Sequence, residues 1–110
     1  MATLRNLKIK TGICRRTLKE LHSYVTEVEQ ESAKTISMKE SNADAFDIKQ
    51  QENVLAESRM MIPDCRKRLE GAFTTLQAAV VEAENDAVSP ETEEFIAANE
   101  LIAEVKPLFA

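Results

Sequence analysis

The sequence predicts an all-α protein: an antiparallel three-helix bundle shaped as an elongated rod, with its second helix kinked at Pro63 and its third helix shorter. Three observations predict this. Apolar side chains recur at heptad spacing through most of the 110 residues, which is a helical stripe and not the alternation of a strand. Only two glycines and three prolines occur, so turns are few. Tryptophan is absent and aromatics make up 5% of the chain, which leaves strands poorly supplied.

The first helix is predicted over about residues 3–41. Its stripe is Leu4, Leu7, Thr11, Cys14, Leu18, Leu21, Val25 and Val28, continued weakly by Ser32 and Thr35. At the α-helical rise this is a rod of nearly 60 Å, roughly. Gly12 lies inside it at a cost of up to about 1 kcal/mol relative to alanine. The break at Ser41-Asn42-Ala43-Asp44 holds residues whose side chains compete for the backbone, with Asp44 placed to cap the second helix.

The second helix is predicted over about residues 45–86, with the seam Ile48, Gln51, Leu55, Ser58, Ile62, Cys65, Leu69, Ala72, Leu76, Ala79 and Ala83. Val54, Met61, Phe73 and Val80 widen the apolar face. The heptad phase is unchanged across Pro63, so the proline, which removes one backbone hydrogen bond at roughly 3 kcal/mol, is read as a kink within one helix. Ser89-Pro90-Glu91 reads as the start of the third helix, over about residues 90–106: a cap, a proline at the first position, then acids. Its apolar face is expected to be Phe95, Ala98, Ile102, Val105 and Phe109, with Pro107 ending it near Lys106.

The third helix is too short to run the length of the other two. Folded back, it reaches about residue 67 of the second helix and about residue 20 of the first. Residues 22–66 would then be a two-helix hairpin with Val25, Val28, Val54, Met60, Met61 and Ile62 uncovered, and a partner is expected there, because two helices cannot cover each other's apolar faces on all sides.

The formal net charge is -5, unevenly spread. Arg5, Lys8, Lys10, Arg15, Arg16 and Lys19 precede any acid, while residues 82–104 carry acids and no base. Antiparallel packing would set Arg5, Lys8, Lys10, Arg15 and Arg16 against Glu82, Glu84, Glu91, Glu93 and Glu94. The acidic total argues against nucleic acid as a partner, and the charged content argues against a membrane span. Cys14 and Cys65 have no CxxC spacing, which reads as reduced, buried thiols in a cytosolic protein. His22 is the only histidine, so a metal site is not expected. No triad spacing and no glycine-rich phosphate loop occur, so no enzyme activity and no cofactor are expected.

The stretch around Pro63 concentrates what remains. Met60 and Met61 offer flexible, adaptable side chains. Arg66-Lys67-Arg68 reads as a solvated face on spacing alone. Glu57-Ser58-Arg59-Met60-Met61-Ile62-Pro63-Asp64-Cys65, followed by bases and Leu69, closely resembles the central motif of the tubulin-binding cofactor A family. Leu7-Lys8-Ile9-Lys10-Thr11-Gly12 resembles the family's Ile-Lys-Ile-Lys-Thr-Gly pattern, with Leu for the first Ile. Phe46-Asp47-Ile48-Lys49-Gln50-Gln51 resembles its Tyr-Asp-Ile-Lys-Lys-Gln stretch. The motifs span residues 5–70.

The resemblance implies a cytoplasmic, cytoskeleton-associated three-helix chaperone of the post-chaperonin tubulin folding pathway. Such a protein captures quasi-native β-tubulin and feeds αβ-heterodimer assembly, with other tubulin-folding cofactors as further partners. It also raises the basic run above solvated surface, since tubulin is acidic. The expected contact residues are Arg59, Met60, Met61, Pro63, Arg66, Lys67 and Arg68. The competing expectation is a structural helical adaptor or coiled-coil homodimer module, in which a second copy completes the hairpin; the chain itself is expected to be a monomer or weak homodimer.

Overall fold

The computed structural model describes residues 2–109. Three α-helices follow one another: α1 (Ala2–Glu40), α2 (Ala45–Asn85) and α3 (Glu93–Val105), then a 3-10 turn over Lys106–Leu108. α2 is continuous through Pro63. The hydrogen bond that Pro63 cannot donate would have gone to the carbonyl of Arg59. Both residues are exposed, so solvent can satisfy that carbonyl, which lowers the cost of the proline.

Both connections between helices use a left-handed residue. After α1, Asn42 has φ 54°; its amide donates to the Lys39 carbonyl, and the Ala43 amide donates to the Met38 carbonyl. This pairing closes a helix C-terminus with a Schellman motif. Asp44 then caps α2, its Oδ2 accepting from the Phe46 amide at 3.2 Å. After α2, Ala87 at φ 57° repeats the device, with Ala87 and Val88 amides donating to Glu84 and Ala83 carbonyls.

The start of α3 differs from the sequence expectation. Ser89 does not cap the helix. Its Oγ accepts from the Glu91 amide, and its carbonyl accepts from both the amide and the hydroxyl of Thr92. This makes a separate turn around Pro90. Thr92 is the cap, its hydroxyl accepting from the Phe95 amide at 3.3 Å. Pro107 ends α3 as expected, within the 3-10 turn.

The chain forms two compact units. One comprises Met1–Lys19 with Lys67–Ala110, and the other Glu20–Arg66. The first contains α3 and parts of the two long helices. Its core is Leu7, Cys14, Leu18, Leu69, Phe73, Leu76, Ala79, Val80, Ala83, Phe95, Ala98, Leu101 and Val105. Phe73 and Phe109 stack with centroids 6.1 Å apart. Leu101 takes the central place expected of Ile102, which is only half-buried. Thr3 of α1 donates to Asp86 after α2, so the two long helices run antiparallel here. Lys8 and Arg15 line one cavity with Glu93 and Glu94, so part of the expected juxtaposition of bases and acids is present.

The second unit contains only the facing lengths of α1 and α2. Its buried apolar residues are Leu21, Leu55 and Cys65, and its seam also buries Thr35, Gln51 and Ser58. The antiparallel pairing is fastened by polar bonds. Gln51 Nε2 donates to the Glu31 carbonyl at 3.3 Å and to its carboxylate. Ser58 Oγ donates to Glu27 Oε1 at 3.4 Å. Lys39 Nζ lies 3.8 Å from Glu52 Oε2.

Candidate functional site

Within Glu20–Arg66 the heptad leaves apolar side chains uncovered. Val25, Val54, Met60 and Met61 are exposed, while Val28 and Ile62 are half-buried. Their positions on α2 explain the difference. Leu55, Ser58, Ile62 and Cys65 repeat at three- and four-residue steps and face α1. Met61 stands on the flank of that seam. Met60 points away from it and is 73% exposed.

The residues expected to meet a partner are therefore not one cluster. In this unit Arg59, Met60, Pro63 and Arg66 are exposed; Met60 and Pro63 fall on the side of α2 turned from α1, whereas Arg59 and Arg66 flank the seam on the side opposite Met61. Met61 instead lines a shallow groove of about 300 Å³ with Tyr24 and Glu27 of α1 and Val54, Glu57 and Ser58 of α2. Lys67 and Arg68 belong to the other unit and are exposed there. Arg66 and Arg68 each engage other groups of the chain, so the basic run is partly committed internally.

Sequence reasoning did not single out Tyr24, Glu27 and Glu57 as groove residues. The available signal was the pairing of Val54 and Met61 two turns apart on the seam's flank, which marks an edge that a third helix would have to cover. Tyr24 Oη donates to Glu20 Oε1 at 3.4 Å, which orients the ring. The Ser58 bond to Glu27 holds one carboxylate at the groove's edge, giving an apolar floor with an acidic margin.

The groups with chemical potential are disposed otherwise. His22 is exposed. Cys14 is wholly buried among the core of the first unit. Burial pushes its thiol above the ordinary value of 9.0, and neighbouring Arg15 offsets part of that rise. It is a protonated core side chain at neutral pH, not a thiolate nucleophile. Among the described residues no group of three or more His, Cys, Asp or Glu is placed to hold a metal ion. No helix there is long and apolar enough to cross a membrane.

Fold and surface together define an all-α, three-helix protein that presents uncovered helix faces and an open groove. The chain belongs to the family described as Tubulin binding cofactor A, which it matches over residues 2–102. Tubulin-folding cofactor A of Arabidopsis thaliana is 55% identical over 111 residues, covering 99% of this chain and 96% of that protein. The crystal structure of that Arabidopsis cofactor superposes with a TM-score of 0.90 at 55% identity, covering 97% of this chain and 98% of the other. The human tubulin chaperone cofactor A structure gives 0.77 at 41% identity, covering 94% and 98%. The match extends beyond the motifs at residues 5–70 and takes in most of α3.

Proposed function

We propose that this chain captures quasi-native β-tubulin after its release from the chaperonin, holds it in the cytoplasm, and passes it toward αβ-heterodimer assembly. The observation that carries this reading is membership of the tubulin binding cofactor A family along residues 2–102. Relatives named tubulin-folding cofactor and tubulin-specific chaperone match nearly end to end. The architecture supports holding rather than chemistry. A chaperone of this kind needs exposed surface that stays folded without its partner, and the two-helix unit supplies it: its polar seam bonds keep the helices paired while apolar side chains remain at the surface.

The contact residues proposed are Arg59, Met60, Met61, Pro63 and Arg66 in the two-helix unit, with Lys67 and Arg68 in the other. Met60 is the favoured apolar anchor, because no packing within the chain accounts for so exposed a methionine. The bases suit an acidic protein such as tubulin.

The test is capture of tubulin from cytosol by the immobilised full chain. β-Tubulin should be enriched over α-tubulin. Reversing Arg59, Arg66 and Arg68 to Glu, with helicity checked by circular dichroism, should weaken capture about tenfold or more. Equal recovery of both tubulins, or none, would sink the reading; undiminished capture by the reversed variant would sink only the basic contacts.

A further inference from the structure

The motif Leu7-Lys8-Ile9-Lys10-Thr11-Gly12 does more than pack. Leu7 and Thr11 are buried, with Thr11 Oγ1 donating to the Leu7 carbonyl at 2.8 Å. Ile9 is 50% exposed, and Ile13, one turn on, is 37% exposed. Branched residues are indifferent helix formers, so neither propensity nor this chain's core explains two isoleucines on one outer face.

Gly12 deepens the puzzle. A side chain there would meet only the Nη1 of Arg16, at an ordinary 3.6 Å. Its φ is not positive. Nothing within the chain requires a glycine at a position where it weakens a helix.

These residues form one surface. Arg5, Ile9 and Ile13 make a row at four-residue spacing, and Lys8, Gly12 and Arg16 make the adjacent row. The groove between two such rows is what receives a ridge from another helix, and a residue without a side chain lets the two backbones approach. Arginines stand at both ends, and among the described residues neither Arg5 nor Arg16 forms an ion pair. α1 carries no acid before Glu20.

We infer that this face of α1, formed by Arg5, Ile9, Gly12, Ile13 and Arg16, is a docking surface for an acidic amphipathic helix of the partner. The partner helix crosses at Gly12, sets apolar side chains on Ile9 and Ile13, and places carboxylates against Arg5 and Arg16. The guanidinium of Arg16, which covers Gly12 in the unbound chain, swings to a carboxylate on docking. The inference rests on the reading that the partner is β-tubulin and assigns it a second surface, distinct from the one proposed on α2.

The experiment measures capture of β-tubulin by the full-length chain and three variants: Gly12→Ala, Ile9→Ser with Ile13→Ser, and Arg5→Glu with Arg16→Glu. Each should capture about tenfold more weakly, and the charge-reversed variant should show a smaller salt dependence than wild type, the bases on α2 keeping the remainder. Gly12→Ala should at the same time raise Tm by roughly 4 °C. Gly71→Ala calibrates that rise, since a side chain at Gly71 would meet nothing within 4 Å. Wild-type capture by Gly12→Ala overturns the inference, as does a lowered Tm, which would show that the fold itself needs the glycine. Failure of the wild-type chain to capture β-tubulin overturns the functional reading and this inference with it. Capture by wild type with no loss in any variant overturns this inference alone.

Discussion

The two units are built on the same heptad but fill it differently. In the three-helix unit the seam of α1 and α2 buries Leu7, Thr11, Cys14, Leu18, Leu69, Leu76, Ala79 and Ala83, with Leu4 and Ala72 half-buried, and the flanking Phe73 and Val80 are buried too. In the two-helix unit the seam buries Leu21, Leu55 and Cys65 but also the polar Thr35, Gln51 and Ser58, Val28 and Ile62 are only half-buried, and Val54 and Met61 beside it are exposed. A third helix turns flanking positions into core. Without one, hydrogen bonds replace part of the apolar burial, and each contributes only about 1 kcal/mol net. Surface apolarity here thus follows helix count together with a change of pattern along α2: Val54 and Met61 stand on one flank of the seam, Phe73 and Val80 on the other.

This contrast makes its largest prediction in the cores. Leu76 is wholly buried in the three-helix unit, so Leu76→Ala should cost about 3 kcal/mol in urea unfolding, through lost transfer energy and the cavity left behind. Leu55→Ala should cost nearer to about 2 kcal/mol, because a seam open on its flanks can collapse or admit solvent. Hydrogen exchange sharpens the comparison: amides near Leu55 should exchange through local openings, whereas those near Leu76 should exchange only with global unfolding. Equal costs and equal protection would break the distinction between the units.

A smaller effect separates the two connections. Asn42 and Ala87 hold the same left-handed position, but asparagine tolerates it and alanine does not. A Cβ there costs roughly 1–2 kcal/mol, of which glycine's greater freedom in the unfolded chain takes back part. Ala87→Gly should therefore stabilise the chain by about 0.5 kcal/mol, visible as a Tm rise, whereas Asn42→Gly should change little. A fall in Tm for Ala87→Gly would mean that the Ala87 methyl packs better than its exposure suggests.

Most of the fold was legible in the sequence because heptad spacing and caps act locally. The three helices, the uninterrupted passage through Pro63 and the Asp44 cap were all readable. The reach of a short third helix put the change in packing near residues 20 and 67, where the units divide. Two details were not legible. Ser89 and Thr92 are both competent caps, and the choice fell to Thr92 because Pro90 closes a turn onto Ser89 first. Leu101 and Ile102 are adjacent and both apolar, so a rotation of one residue in a 13-residue helix decides which is core, and only packing fixes that rotation. The groove was illegible for a different reason: Tyr24 and Glu27 meet Val54 and Met61 only through the register between two helices, which spacing within either helix does not encode.

The smallest effect concerns Cys14, buried in the three-helix unit. Its folded thiol holds its proton to a higher pH than the unfolded thiol, because burial disfavours the thiolate. Below pH 9.0 both states are protonated and the contribution of the buried thiol is complete. Above that pH the unfolded chain releases its proton first, so stability falls as pH rises toward the folded value. Cys14→Ala should lower stability by about 1 kcal/mol at neutral pH through lost packing, yet decline less steeply than wild type above pH 9.0. Groups common to both proteins cancel in the difference. Parallel alkaline limbs in wild type and variant would show that solvent reaches Cys14, and would place the opening of the fold inside the three-helix unit rather than the two-helix one.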